Sequence, residues 1–394
     1  MKFPQRSIWW RYRWLLLSLS LILLIVLPKH PFHLTNSASG QVTIPDPQAS
    51  GAALQTLLNQ TVSQQKMPGA VLYLTTPKSN WAGAAGVSSL ETNALMQPTD
   101  RFSIASASKT YLAVVVLQLV ESGQMQLDAP IANYLPADVR PHITNSDRIA
   151  VRQLLNHTSG VPEYRFVEGF ATATESRSRA NPWTARETVQ YIFDRPAQFE
   201  PGSQYAYTDS NYVLLQLIVE TLVGKPIEAA MRDRIFTPLN LANTFTELRE
   251  AVPGGVVTGY SEPDSQGNRR NLSTLNLGNG LSDGGLVSNA QDVATFLTSL
   301  LTQGKLLSQT MLQTMLTFVP ASDGGEYGLG IKRWQDNPQV GALLGHGGQY
   351  YGFQSFMIYL PKWNMTVVAL TNAEDANAVK LAKTAANVAL GLEQ

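Results

Sequence analysis

The chain has 394 residues, no cysteine, 44% hydrophobic residues and 15% charged ones. That length suits two or three domains or one composite domain, and that balance excludes a disordered acidic or basic chain. Without cysteine there is no disulfide, thiolate nucleophile, iron–sulfur cluster or cysteine zinc site. The formal net charge is zero, but Lys2, Arg6, Arg11, Arg13 and Lys29 give residues 1–44 five cations and no acid. The remainder is therefore net acidic, and no basic surface for nucleic acid is expected.

The basic start runs into an apolar stretch, Trp14 to Leu27, broken by Ser18 and Ser20. This length suits the hydrophobic region of a signal peptide, with small residues at Ser37-Ala38-Ser39 as a late cleavage site. Left uncleaved, with Trp9, Trp10 and Tyr12 at its edge, it would serve as a membrane anchor. Either way the body, residues 45–394, is expected outside the cytoplasm.

Along the body, Leu54, Leu57, Leu58 and Val62 keep helical spacing up to Pro68-Gly69. Ala70 to Thr76 and Trp81 to Val87 read as a strand pair. Ala107 to Val120 is apolar nearly all round and reads as a buried helix stopped by Gly123. Residues 124–210 are irregular, with short helices such as 184–194. Asn211 to Leu222 is a helix closed by Gly224, and another runs from Ala290 to Gly304. Phe353 to Tyr359 and Met365 to Thr371 are strands joined at Pro361 to Asn364, and Ala376 to Leu390 is helical. Strands at both ends and helices between them predict a sheet subdomain of about 45–104 and 286–394, with a helical subdomain of about 105–285 inserted.

Ser106 and Lys109 open the buried helix three residues apart, so hydroxyl and amine share a face. A serine becomes a nucleophile when a base takes its proton, and a lysine is such a base when burial or nearby cations disfavour its charge. The helix start also offers N–H groups to an oxyanion. The spacing is common: Ser63 and Lys66 repeat it at the polar end of a helix and read as a solvated face. Gly280-Leu281-Ser282-Asp283-Gly284 matches a nucleophile elbow, with Asp323 or Asp336 and then His346 following in order. It lacks a β-branched strand before it and a helix directly after, and so reads as a glycine-rich loop. Tyr207 precedes a helix for which Asp209 or Ser210 is a candidate N-cap. His346 lies among glycines that permit close approach of a ligand, and its simplest reading is a turn histidine. His30, His33, His142, His157 and His346 form no His-Glu-x-x-His motif, and no phosphate-binding loop is present.

Taken in order, Ser106-x-x-Lys109, Tyr207-x-Asp209 and His346-Gly347-Gly348 resemble the three motifs of penicillin-recognising serine hydrolases, in the branch of class C β-lactamases and D-Ala-D-Ala carboxypeptidases. LLNHTSGVP (154–162), PGSQYAYTDSNYVLL (201–215), GGLVSNAQDVATF (284–296), YGLGI (327–331) and GHGGQYYGFQSF (345–356) extend the likeness over residues 50–390. The resemblance implies an α+β, sandwich-like fold. Its mixed, largely antiparallel sheet is flanked by helices, and the site lies beside the helical part. It implies Ser106 as acylated nucleophile, Lys109 sharing its proton, Tyr207 as general acid/base and His346 in place of the third-motif lysine. The backbone N–H groups of Ser106 and Gln349 would form the oxyanion hole, and Asp209, Gly347 and Gly348 would line the substrate. No metal or cofactor is implied. Many members have asparagine at Asp209 and threonine at Gly347, whose hydroxyl helps hold a substrate carboxylate. The expected activity is D-Ala-D-Ala carboxypeptidase-like, on peptidoglycan stem peptides. An esterase, a class C-like β-lactamase acting on β-lactams and a non-catalytic penicillin- or cell-wall-binding protein are the alternatives. Asp209 and Gly347 motivate the non-catalytic reading.

Overall fold

The computed structural model describes residues 43–276, 280–335 and 337–392. The basic–apolar leader, but for its last two residues, and Asp336 lie outside the described residues.

Eight strands form one sheet in the order β2-β1-β11-β10-β9-β8-β7-β6. They are β1 (Gly69–Thr75), β2 (Asn80–Gly86), β6 (Val319–Pro320), β7 (Glu326–Tyr327), β8 (Lys332–Gln335), β9 (Ala342–Tyr350), β10 (Phe353–Leu360) and β11 (Met365–Thr371). The N-terminal hairpin thus joins the C-terminal meander through β1 and β11, which pair from Ala70 with Thr371 to Thr75 with Thr366. Every pairing between these strands is antiparallel. A small second sheet consists of β3 (Phe102–Ser103), β5 (Leu286–Ser288) and β4 (Phe245–Thr246), in that order.

Alternation along the strands gives the large sheet two apolar faces. Ala70, Leu72, Leu74, Phe356, Ile358, Val367 and Ala369 join one core cluster with Leu54, Leu57 and Leu58 of helix Gly51–Gln64. Helix Ala378–Ala389 packs there too, presenting Ala378, Leu381, Ala382, Ala385 and Ala386. Val71, Tyr73, Met357, Val368 and Leu370 face the other way, into the cluster that holds the helical region. In that cluster, helix Ser108–Glu121 is buried from Ser108 through Leu117, which explains its lack of a polar face. Helix Ser210–Val223 lies against it, is equally apolar, and ends on Gly224 in the left-handed conformation (φ 64°).

Two expected elements change on inspection. The segment 184–194 is a short helix, Ala185–Val189, followed by a 3-10 turn. His346 is no turn residue: it sits in the middle of the nine-residue strand β9. The run Gly345-His346-Gly347-Gly348 hides a strand from propensity, since glycine disfavours one. Close packing explains the glycines. A Cβ at Gly345 would lie 1.9 Å from the Met357 carbonyl oxygen, and one at Gly348 2.4 Å from that of Ile104.

Candidate active site

Ser106 lies in a 3-10 turn, Ala105–Ala107, that leads directly into helix Ser108–Glu121. It makes no N-cap hydrogen bond. Ala105, just before it, has φ 49°, a left-handed conformation that costs an alanine energy and marks a backbone held by its surroundings. Three bonds hold it. The Ser108 hydroxyl donates to the Ala105 carbonyl (2.7 Å), the Leu286 N–H donates to Ser108 (3.1 Å), and the Ser355 hydroxyl donates to the Ile104 carbonyl (2.6 Å).

Lys109 is fully buried. Its Nζ donates to Ser106 Oγ (3.2 Å), to Asp209 Oδ1 (2.6 Å) and to the carbonyl oxygen of Asp283. Three acceptors match the three N–H bonds of an ammonium. The arrangement puts the amine within hydrogen-bond reach of Ser106 Oγ, the contact that sharing the serine proton requires.

Asp209 occupies the N-cap position of helix Ser210–Val223, but its side chain makes no cap bond. It was expected to meet substrate; instead it is buried and turned inward. Its Oδ1 meets Lys109 and its Oδ2 meets Arg165 Nε at 3.0 Å. Burial pushes this carboxyl up, but the charges of Arg165 and Lys109 outweigh it and hold it at about 2. Arg165 Nη2 also reaches Asp283 Oδ2 (3.1 Å), which accepts from the Tyr164 hydroxyl as well (2.9 Å). Burial raises the Asp283 carboxyl. Glu163 accepts the backbone N–H groups of Asp209 (2.6 Å) and Arg165 (3.0 Å), and burial and the charge of Asp209 push it up to about 7. Sequence reasoning missed Glu163, Tyr164, Arg165 and Asp283. The first three lie in an irregular stretch without periodicity. Asp283 was in view inside the discarded Gly-x-Ser-x-Gly match, where Ser282 is buried with its hydroxyl unpartnered. Ser63 is exposed at the end of its helix, on the other side of the sheet from Ser106.

Tyr207 forms the opposite side. Its hydroxyl faces Ser106, its ring centre lies 5.1 Å from Lys109 Nζ, and 38% of its surface stays accessible. The dense surroundings and the charge of Asp209 push the phenol well above its ordinary range, so it rests protonated. His157 lies beneath it, with ring centres 4.2 Å apart. It is buried, and its Nδ1 accepts from the Thr208 N–H at 3.2 Å. His346 lies 6.4 Å from Tyr207, ring centre to ring centre. Its Nδ1 reaches the Gly347 carbonyl (2.6 Å) and its Nε2 the Tyr327 hydroxyl (2.8 Å). Burial and Lys109 push His346 down to about 3, so it is a neutral imidazole. It stands where the sequence placed it, but its Nε2 is engaged by Tyr327 and not by Tyr207.

Gln349 lies on the edge of β9. Tyr350 pairs with Phe353 across the Tyr351-Gly352 turn, which puts Gln349 at a non-hydrogen-bonded position against Gln354, its N–H directed off the β10 edge. The 3-10 turn of Ser106 packs along this part of β9. That geometry suits an oxyanion hole shared with the Ser106 N–H. At Gly347 an added Cβ would meet only the Phe356 ring closely, at 3.2 Å, whereas at Gly348 it would strike the Ile104 carbonyl and the Ala105 methyl. Ala105 also packs with Tyr350, Tyr351 and Leu275. These three residues line a cavity of about 310 Å³, shared with Val256, Leu272 and Phe353.

The family model described as Beta-lactamase matches residues 54–390. A D-stereospecific amidohydrolase from a Streptomyces species is 30% identical, with a TM-score of 0.73 over 85% of this chain and 97% of that one. The D-amino acid amidase from Ochrobactrum anthropi SV3 is 26% identical, with a TM-score of 0.74 over 86% of this chain and 97% of that one. A putative D-alanyl-D-alanine carboxypeptidase of Escherichia coli is 26% identical over 69% of this chain and 68% of its own length. The chain spans 48–72% of the length of five further curated relatives. With the fold and the ordered motifs in place, the chain belongs to the β-lactamase family of serine hydrolases.

Proposed function

We propose that the protein is an exported amidohydrolase that cleaves amide bonds on the carbonyl side of D-amino acid residues through a Ser106 acyl-enzyme. One observation carries the choice of substrate: the cations beside Ser106, Lys109 and Arg165, are both paired with carboxylates, and Gly347 offers no hydroxyl. Such a site has little to hold a free C-terminal carboxylate, so an amide or a mid-chain peptide bond suits it better than a terminal D-Ala-D-Ala. The likeness to a D-stereospecific amidohydrolase and a D-amino acid amidase supports the same choice. The cavity behind Tyr350 would take an apolar side chain of the substrate. The basic, then apolar leader supports export, to the periplasm or a membrane-anchored position.

In the proposed reaction Ser106 Oγ attacks the carbonyl carbon. The Ser106 proton passes to Tyr207 as Tyr207 gives its own proton to the leaving nitrogen. A phenol that rests protonated favours this concerted exchange over a standing phenolate. The charge on the carbonyl oxygen falls to the N–H groups of Ser106 and Gln349. Lys109, as an ammonium, steadies the forming alkoxide. Water then repeats the exchange in reverse and frees the acid.

The test compares D-phenylalanine amide, L-phenylalanine amide and a diacetyl-Lys-D-Ala-D-Ala peptide on residues 41–394, beside Ser106→Ala. The expected order is D-amide well above L-amide and peptide. Ser106→Ala should lower turnover by about 10⁴-fold or more. Preference for the peptide would move the reading to a carboxypeptidase, which the relative in Escherichia coli supports. Absence of turnover, with no covalent adduct from a fluorophosphonate, would favour a binding protein.

A further inference from the structure

We propose that Arg165 is a positioning residue for the nucleophile: it holds Asp209 ionised and aimed at Lys109, and so lets an acid stand in the second motif. This rests on the hydrolase reading and names a residue that none of the three motifs contains. The geometry is a closed ring. Lys109 bonds Asp209 (2.6 Å), Asp209 bonds Arg165 (3.0 Å), Arg165 bonds the Asp283 carboxylate (3.1 Å), and the Asp283 carbonyl accepts from Lys109. Each oxygen of Asp209 has its own cation. Two of the three Lys109 N–H bonds are fixed by the ring, which leaves the third for Ser106 at 3.2 Å. Glu163 fastens the ring from behind by accepting the N–H groups of both Asp209 and Arg165. The guanidinium lies 5.1 Å from the centre of the Tyr350 ring and 5.8 Å from that of Tyr164, so its plane is held as well as its charge.

A neutral amide at position 209 could accept from Lys109 with no counter-cation. A carboxylate there, buried between Glu163, Asp283 and a phenol, needs a second positive charge. Without Arg165 the ring would hold one cation, Lys109, against Asp209, Asp283 and Glu163. Asp209 would draw Lys109 toward itself, and the Lys109–Ser106 bond would lengthen. The groups facing Asp209 are Lys109, Glu163, Tyr164, Arg165, Tyr207, Asp283 and, through space, His157. Removal of the guanidinium therefore favours protonation of the acidic ones and affects Asp209 most directly.

The experiment measures kcat, KM and their pH dependence for wild type, Arg165→Ala, Arg165→Lys, Arg165→Met, Asp209→Asn and Arg165→Ala/Asp209→Asn. D-Phenylalanine amide and p-nitrophenyl acetate are the substrates. Expected for Arg165→Ala is a loss in kcat of about 30–100-fold with KM changed less than about threefold. Its acid limb should rise by at least about one pH unit. Arg165→Lys should recover part of the loss. The double variant should recover at least about tenfold over Arg165→Ala, because a neutral residue 209 no longer needs the charge. A double variant no faster than Arg165→Ala, with an unmoved acid limb, would overturn the proposal, as would a loss confined to KM. Arg165→Met keeps the packing on Tyr350 and carries the same expectations if Arg165→Ala does not fold. Failure of wild type to turn over any amide or ester would overturn the hydrolase reading by itself. Carbon-13 NMR of the Asp209 carboxyl then reads the ring: its titration must move up in Arg165→Met, and an unchanged midpoint refutes the role.

Discussion

Two walls enclose Ser106, and they are built on opposite principles. Lys109, Asp209, Arg165 and Asp283 form an ionic wall in which charges meet charges. Tyr207, His157, Tyr327 and His346 form an aromatic wall whose titratable groups all rest neutral. Both are buried, apart from the exposed edge of Tyr207 and the partly exposed Arg165. A buried charge must be paired, and a pair can hold a donor rigidly but cannot readily give up a proton. A neutral phenol or imidazole is held by hydrogen bonds and stacking and can exchange one. In the proposed reaction, the two sides of Ser106 thus divide the work into holding and relaying.

The sharpest way to break that division is Tyr207→Phe, which keeps the ring over Lys109 and removes the relay. Turnover should fall by about 10²–10⁴-fold, with thermal stability nearly unchanged. A rate near wild type would end the role of Tyr207. Asp209→Ala attacks the other wall. It leaves Lys109 and Arg165 buried with a lost partner, and should destabilise the fold by about 3–5 kcal/mol in urea titration. An effect below about 1 kcal/mol would mean that the ionic wall is dispensable to the fold.

The smallest effect sharpens the comparison through pH. His346 is held at about 3 in the folded protein against an ordinary histidine near 6.5. Its pKa is depressed on folding. It therefore contributes stability that is full above about pH 6.5 and lost as the pH falls toward 3. Glu163 has the opposite sign. Raised to about 7, it contributes below its ordinary value near 4.5, and that contribution is lost as the pH rises through 7. Melting temperatures from pH 7 to pH 4 should therefore fall less steeply for His346→Gln than for wild type. Equal slopes would mean that the aromatic wall does not depend on neutral His346.

Each wall was half legible in the sequence. Tyr207 and His346 of one wall and Lys109 and Asp209 of the other belong to ordered motifs, and the helix that follows Ser106 is plainly apolar along its length. The rest of the ionic wall is Arg165, from a 3-10 turn that Glu163 caps, and Asp283, from a glycine-rich loop, where no period marks which side chains point inward. Their one signal was charge in an apolar setting: residues 163–165 are Glu-Tyr-Arg beside the phrase HTSGVP, and Asp283 adjoins GGLVS. β9 was hidden for a different reason. Its glycines lower strand propensity, and only the approach of Ile104 and Met357 explains them. Asp209 was visible as a departure, but the partner that makes it tolerable lies 44 residues away in sequence, and one chain without its fold cannot pair the two.

The two neighbouring glycines of the third motif have unequal evolutionary futures. Position 348 is closed to every side chain, because a methyl group there would collide with the Ile104 carbonyl, main chain just ahead of the turn that carries Ser106. Position 347 is bounded by the edge of the Phe356 ring, which can yield by a few tenths of an ångström. A hydroxyl could therefore be introduced at 347 by a small number of mutations without rebuilding the strand. If the proposed amide specificity holds, the boundary between cleaving amides and gripping a carboxylate is, in this molecule, a single accessible step rather than a change of scaffold.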